Sequence, residues 1–214
     1  MVFDCARWMN HPSATYRAEN KAVQLGVASR VGFAIPPTII TNDSAIAGTV
    51  ANEAGRVALK ALDTFIISRE NSETFGYTNQ LDEGVVKASD LSTMPVIAQR
   101  SLDHKLDLRV TVVGDSVFTA AIRVEGKPVA GDWRLQKQRE FSPHELPRSI
   151  ERQCVALTRD LGLSFGAIDL ALQDDCYLFL EINPTGEWAW LVDDLGFAID
   201  ATIAEQLASC ASPG

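Results

Sequence analysis

Phe165-Gly166-Ala167-Ile168-Asp169-Leu170-Ala171-Leu172, followed after a short polar gap by Tyr177-Leu178-Phe179-Leu180-Glu181-Ile182-Asn183-Pro184, is the stretch whose reading decides the fold. Side chains alternate along a strand, so Ile168, Leu170 and Leu172 share one face, as do Leu178, Leu180 and Ile182. These six predict an apolar core surface, while Asp169, Glu181 and Asn183 occupy the opposite faces. For both apolar sets to point inward in an antiparallel pair, the loop must hold an odd number of residues, three centred on Asp174 or five. Either register brings Asp169 within a residue or two of Glu181 and Asn183. Two carboxylates and an amide oxygen are hard donors suited to Mg²⁺ on phosphates. Alternation alone also fits a one-sided sheet whose polar face meets water.

Upstream, Gly114-Asp115 between two β-rich runs, 107–113 and 117–124, predicts a hairpin. Helices are predicted over 16–31, with Ala22, Leu25, Gly26 and Ser29 as the small or apolar face and Gly32 as the stop, and over 148–161 and 199–207. Thr41-Asn42-Asp43-Ser44 reads as a cap opening a helix that runs to Ala54. Strands are expected at 56–62, 65–67 and 96–99, and residues 68–92 read as loops around short strands. This order of hairpins and helices predicts an α+β fold rather than a doubly wound sheet.

The chain has 214 residues and a net charge of −9, which disfavours nucleic acid as a partner. No apolar run is long enough to span a membrane, and no basic region precedes an apolar one near Met1. Cys5, Cys154, Cys176 and Cys210 show no metal or disulfide spacing. A reduced, cytoplasmic protein is expected.

The segment 163–190, LSFGAIDLALQDDCYLFLEINPTGEWAW, resembles the C-terminal part of ATP-grasp ligases, closest to the graspetide synthetases that mature microviridin-type peptides. The motif F-G-A-x-D, then F-L-E-x-N-P-x-G-x-W-x-W, is present throughout. The resemblance extends upstream through DLRVTVVGDSVFTAAI and DWR to AENKAVQL. It implies an ATP-grasp fold of two α+β subdomains, expected at 1–98 and 99–214, with nucleotide held between them. It implies ATP and two Mg²⁺ ions, the metals on Asp169, Glu181 and Asn183. Lys60 would contact phosphates, and Gln99, Arg100, Ser101 and Leu102 would form the adenine hinge, with Arg100 where the family has glutamate. Lys105, Asp107 and Arg109 match the family's D-K-K-x-D-L-R, with His104 at a lysine position. Arg134 of the D-W-R motif would reach the γ-phosphate or acyl phosphate, and Arg123 the carboxylate being activated. Trp133, Trp188 and Trp190 read as packing residues. Between Lys60 and Tyr77 only Gly76 offers a glycine for a phosphate-covering loop.

The family normally carries another domain before its W-x-N-x-P region. Here Trp8-Met9-Asn10-His11-Pro12 stands close to Met1, so that domain is expected to be missing. The function expected is an ADP-forming carboxylate ligase making ω-ester or ω-amide bonds in a precursor peptide, its expected partner. Self-association into a homo-oligomer stays open. Two alternatives stand beside it: an amino-acid ligase resembling those that add glutamate to ribosomal proteins, and a truncated, non-catalytic nucleotide- or peptide-binding module.

Overall fold

The computed structural model describes residue 6 and residues 8–62, 66–69, 72–75, 79–129 and 133–209. Gly76, Tyr77 and Asp132 lie outside the described residues, and with them the middle of the proposed phosphate-covering loop.

Two antiparallel sheets face each other. The smaller takes β1 (Thr38–Thr41), β2 (Arg56–Ala61), β5 (Asn79–Asp82) and β6 (Val96–Arg100) in the order β1-β6-β2-β5. The short helices α3 (Ser44–Gly48) and α4 (Glu83–Ala88) close one face over Ala47, Val50, Val57, Val86 and Ala98. A separate ribbon pairs β3 (Ile66–Arg69) with β4 (Ser72–Phe75).

The larger sheet runs β10-β8-β7-β11-β12, from β7 (Leu106–Val113), β8 (Ser116–Val124), β10 (Arg139–Pro143), β11 (Phe165–Gln173) and β12 (Cys176–Asn183). The two-residue β9 (Lys127–Pro128) pairs with β8. One face carries Leu108, Val110, Val112, Ile168, Leu170, Phe179 and Ile182 into the main core. Helices α1 (Pro12–Glu19), α2 (Lys21–Arg30) and α5 (Arg148–Asp160) contribute Ala18, Val27, Ala28, Cys154 and Leu157 to it. Helices α6 (Ala189–Leu195) and α7 (Ile199–Ser209) bury Leu191 and Ile199 beside Val113, Ala120 and Phe165.

The β11–β12 loop departs from the odd-numbered expectation. Gln173 pairs with Cys176, leaving a two-residue turn, Asp174-Asp175, with φ of 49° and 58°. That turn alone would throw the second apolar set to the wrong face. A bulge corrects it: Asp169 pairs with Glu181 but Leu170 with Phe179, so Leu180 is the extra residue. Phe179, rather than Leu178 or Leu180, therefore fills the core with Ile182, and Leu180 joins Glu181 at the cleft between the sheets.

The helix expected over 16–31 is two helices, because Asn20 caps both: its backbone N–H closes α1 and its side chain accepts from the Val23 N–H. The buried face of α2 is Gln24, Val27 and Ala28, not the small-residue face expected. The helix opened by Asp43 stops at Gly48, well short of Ala54. Helices α4 and α6 were not expected; at six and seven residues each they carry too little periodicity to stand out.

The Asn10 side chain ties the start of the described chain to the larger sheet. Asn10 donates from Nδ2 to the carbonyls of Phe165 and Pro184, both at 2.9 Å, and its Oδ1 accepts from the N–H groups of Ser164 and Phe165 at 2.8 and 3.0 Å. All four of its hydrogen-bonding positions are used, across the start of β11 and the end of β12. An aspartate has the same shape but no donor, and would set a carboxylate against two carbonyls. Asn10→Asp is therefore expected to cost about 3 kcal/mol in urea unfolding and to be worse than Asn10→Ala.

Candidate functional site

A cleft lined by residues of both sheets opens between them. The smaller sheet supplies Ala58, Lys60, Gln80 and Gln99, which share a face because Ala58 pairs with both Gln80 and Gln99. Lys60 donates to Gln99 Oε1 at 3.0 Å, and Gln99 Nε2 donates to Thr38 Oγ1 at 2.9 Å. Burial pushes the Lys60 ammonium below its ordinary range; Glu181 opposes this. A partly desolvated ammonium of this kind gains most from an anion.

The larger sheet supplies a row. Glu181, Asp169 and Arg109 are directly opposed residues on β12, β11 and β7, so all three face the cleft side. Arg109 Nη1 donates to Asp169 Oδ1 at 3.0 Å, and Arg109 Nη2 reaches the Glu187 carbonyl at 3.3 Å. Arg134, from a one-turn 3₁₀ helix (Trp133–Leu135), pairs with Asp169 Oδ2 and donates to Glu181 Oε1 at 2.7 Å. Lys21 stands 3.5 Å from the other oxygen, Glu181 Oε2. Two residues before Arg109 on β7, Asp107 is ion-paired with Lys105, which precedes the strand; both are buried and both line the cleft.

Although the whole chain carries −9, this cleft is cationic: Lys60, Arg100, Lys105 and Arg134 line it against Asp107, Asp169 and Glu181, with Arg109 and Lys21 behind. Burial pushes the Glu181 carboxyl up, but Arg134, Lys60 and Lys21 together outweigh it and hold it at about 2. Folded stability from this carboxylate is therefore complete above its ordinary value of 4.5 and is lost as pH falls from there towards 2. Acid unfolding followed by circular dichroism should show a drop of up to about 3 kcal/mol across that window. The drop should be absent in Glu181→Gln.

Most residues singled out from the sequence converge here. Lys60, Gln99, Arg100, Leu102, Lys105, Asp107, Arg134, Asp169 and Glu181 line the cleft, and Arg109 backs Asp169. Ser101 is buried beside it, its carbonyl accepting from Asn52 Nδ2 at 3.2 Å. Asn183 pairs with Ala167, two residues beyond Glu181, and is exposed; its Oδ1 accepts from the Thr185 N–H at 2.9 Å and hydroxyl at 3.1 Å. His104 is exposed on a turn with φ 55°.

Arg123 is not brought to the cleft. Asp107 pairs with Ile122 and Leu108 with Ala121, so Ile122 faces the cleft side and Arg123 the core side, where its Nη1 donates to Ser142 Oγ at 3.3 Å. Lys21, Gln80 and Leu180 were missed. Lys21 lies in the AENKAVQL stretch, and its position depends on α2 docking against β12. Trp133 is buried against Ile122 and Val129 as a packing residue, yet it also lines the cleft, with the Arg134 guanidinium 5.3 Å from its ring centre.

The donor set fits Mg²⁺. Among the described residues no cluster of three or more His, Cys, Asp and Glu is placed to hold a metal; Asp169 and Glu181, opposed on adjacent strands, offer two hard carboxylates. That is the usual protein share for Mg²⁺. The Arg134 guanidinium already bridges the two carboxylates, which marks the space between them as a place for positive charge.

Residues 72–207 match the family model described as RimK-like ATP-grasp domain. Among solved structures, the chain is similar to a RiPP-associated ATP-grasp ligase of Chryseobacterium gregarium in complex with ADP and a leader and core peptide (31% identity, TM-score 0.82, covering 95% of this chain and 63% of that one). It is similar to macrocyclase MdnC of Microcystis aeruginosa MRC, bound with precursor peptide MdnA (34%, TM-score 0.79, 95% and 65%). It is also similar to macrocyclase MdnB of the same organism (33%, TM-score 0.72, 94% and 63%). The chain thus spans under two thirds of the length of these relatives. No curated protein matches its sequence. Among the described residues, no helix is long and apolar enough to cross a membrane.

Proposed function

The chain belongs to the RimK-like ATP-grasp family, and from that premise we propose that it is an ADP-forming ligase that joins a side-chain carboxylate of a precursor peptide to a hydroxyl or amine of the same peptide. The observation that carries this is the cationic cleft between the two sheets, with Asp169 and Glu181 paired across adjacent strands at its floor.

In the first step a carboxylate oxygen attacks the γ-phosphorus of ATP, the bond to the β–γ bridging oxygen breaks, and ADP leaves. In the second, the hydroxyl or amine attacks the acyl carbon, phosphate departs, and the attacking group loses its proton. Lys60 and Lys105 would bind phosphates, and residues 99–102 would line the base. Arg134, a partly exposed guanidinium beside Asp169 and Glu181, suits the γ-phosphate, whose oxygens a planar fork matches. Asp169 and Glu181 would hold Mg²⁺, with Asn183 beside them for a second ion. When bound, Mg²⁺ would offset the negative charge of the phosphates. Arg109 orients Asp169 through its Nη1 hydrogen bond to Oδ1. Arg123 has no part in this scheme.

An amino-acid ligase would use the same cleft with another acceptor. Peptide is favoured because two relatives of 31–34% identity carry peptide in their complexes. The test is to incubate the chain with ATP, Mg²⁺ and a glutamate- and threonine-rich peptide. Loss of one water per bond, with matching ADP, is expected in the mass spectrum. ADP formed only with free glutamate would favour the alternative. No turnover by folded protein would favour a binding module.

A further inference from the structure

Asp169 is shared by two arginines of different kinds. Arg109 is 5% exposed on the central strand β7, wedged under residues 183–187, where even a methyl group on Gly186 would lie 2.9 Å from its Nη2. It cannot leave without unpacking the sheet. Arg134 has a side chain 32% exposed, on a single 3₁₀ turn anchored by the buried Trp133 ring. Its side chain reaches from that turn to the two carboxylates across the partly open cleft.

The charges make that difference matter. Asp169 and Glu181 supply two negative charges, and Arg109, Arg134 and Lys21 already oppose them. A divalent ion added beside Arg134 would meet the guanidinium at contact distance, and the carboxylate oxygens it needs, Asp169 Oδ2 and Glu181 Oε1, are the two that Arg134 holds. The two cations therefore compete for one place. Nucleotide phosphates relieve the competition, because they give the guanidinium another anion to pair with.

We propose that Arg134 is an exchangeable counter-ion, holding the place of a divalent cation between Asp169 and Glu181 and releasing it when nucleotide phosphates draw the guanidinium away. Metal loading is thereby made to depend on nucleotide, a coupling that is reciprocal by linkage. The inference rests on reading the cleft as a metal–nucleotide site.

The probe is Mn²⁺ without nucleotide, its free fraction read by electron paramagnetic resonance. Arg134→Gln is expected to bind Mn²⁺ at least about tenfold more tightly than wild type, with Arg134→Lys between them. Added Mn²⁺ should also raise the unfolding temperature of Arg134→Gln more than that of wild type. Equal or weaker binding by Arg134→Gln, while wild type with ADP takes up Mn²⁺ through Glu181, would leave the metal site standing and overturn the exchange. No Mn²⁺ uptake by wild type even with ADP would remove the site reading itself. Should Arg134→Gln not fold, the Lys variant decides by the same ordering.

Discussion

Asp169→Asn is expected to lower ATP-dependent turnover by about 10²–10³-fold and to destabilise the fold at the same time. The change is isosteric, so both losses come from the missing charge. Asp169 joins Arg109 and Arg134, and its side chain is almost fully buried. With asparagine there, Arg109 keeps only neutral acceptors, the amide oxygen and the Glu187 carbonyl, and its buried Nε has no hydrogen-bond partner. Stranding one member of a buried pair costs about 3–5 kcal/mol, because the remaining charge has neither water nor partner. Urea unfolding gives the stability loss, and ADP release, measured where the variant is still folded, gives the activity loss. Glu181→Gln should show a similar loss of turnover with a smaller loss of stability, since its side chain is 20% exposed and water can take over part of the pairing.

Gly186→Ala is expected to cost at least about 3 kcal/mol and to disturb the same site from behind. An added Cβ would sit 2.4 Å from the Ala167 Cβ, 2.9 Å from Arg109 Nη2 and 3.3 Å from the Asn183 Cβ. None of these yields cheaply: Ala167 is wholly buried on β11, and Arg109 is fixed by Asp169. The loop must lift, which would loosen the Glu187 carbonyl from Arg109. Gly84→Ala is the control, because nothing lies within 4 Å of its added carbon and it sits in α4. There the change should be neutral or stabilising by up to about 1 kcal/mol. Thermal unfolding of both variants checks the contrast.

These residues show what the sequence could tell and what it could not. Alternation placed Asp169 and Glu181 on the polar face, and Lys60 on the face opposite Val57, without any structure. It missed the bulge at Leu180, because the argument for an odd-numbered loop assumes an uninterrupted ladder, and two consecutive aspartates at positive φ are not a turn that composition announces. Arg123 is the instructive case. The Gly114-Asp115 turn pairs Val113 with Ser116, and counting along that register puts Arg123 on the core side, opposite to Arg109. Its expected role came from resemblance, although the strand parity was legible. Lys21 could not have been found by counting. It reaches Glu181 because Gln24, one turn further on α2, bonds the Ile182 N–H and carbonyl and so fixes the helix along the edge of β12. Contacts between elements 158 residues apart leave no local period to read.

The central claim is that the Asp169–Glu181 row and the cations around it form a Mg²⁺-dependent ATP site. The most direct measurement is a calorimetric titration of ATP into the chain, with and without Mg²⁺, repeated on Glu181→Gln. The account predicts binding that strengthens with Mg²⁺ in wild type and loses that dependence in a folded variant. Binding indifferent to Mg²⁺, or a Mg²⁺ effect that survives unchanged in Glu181→Gln, would contradict it.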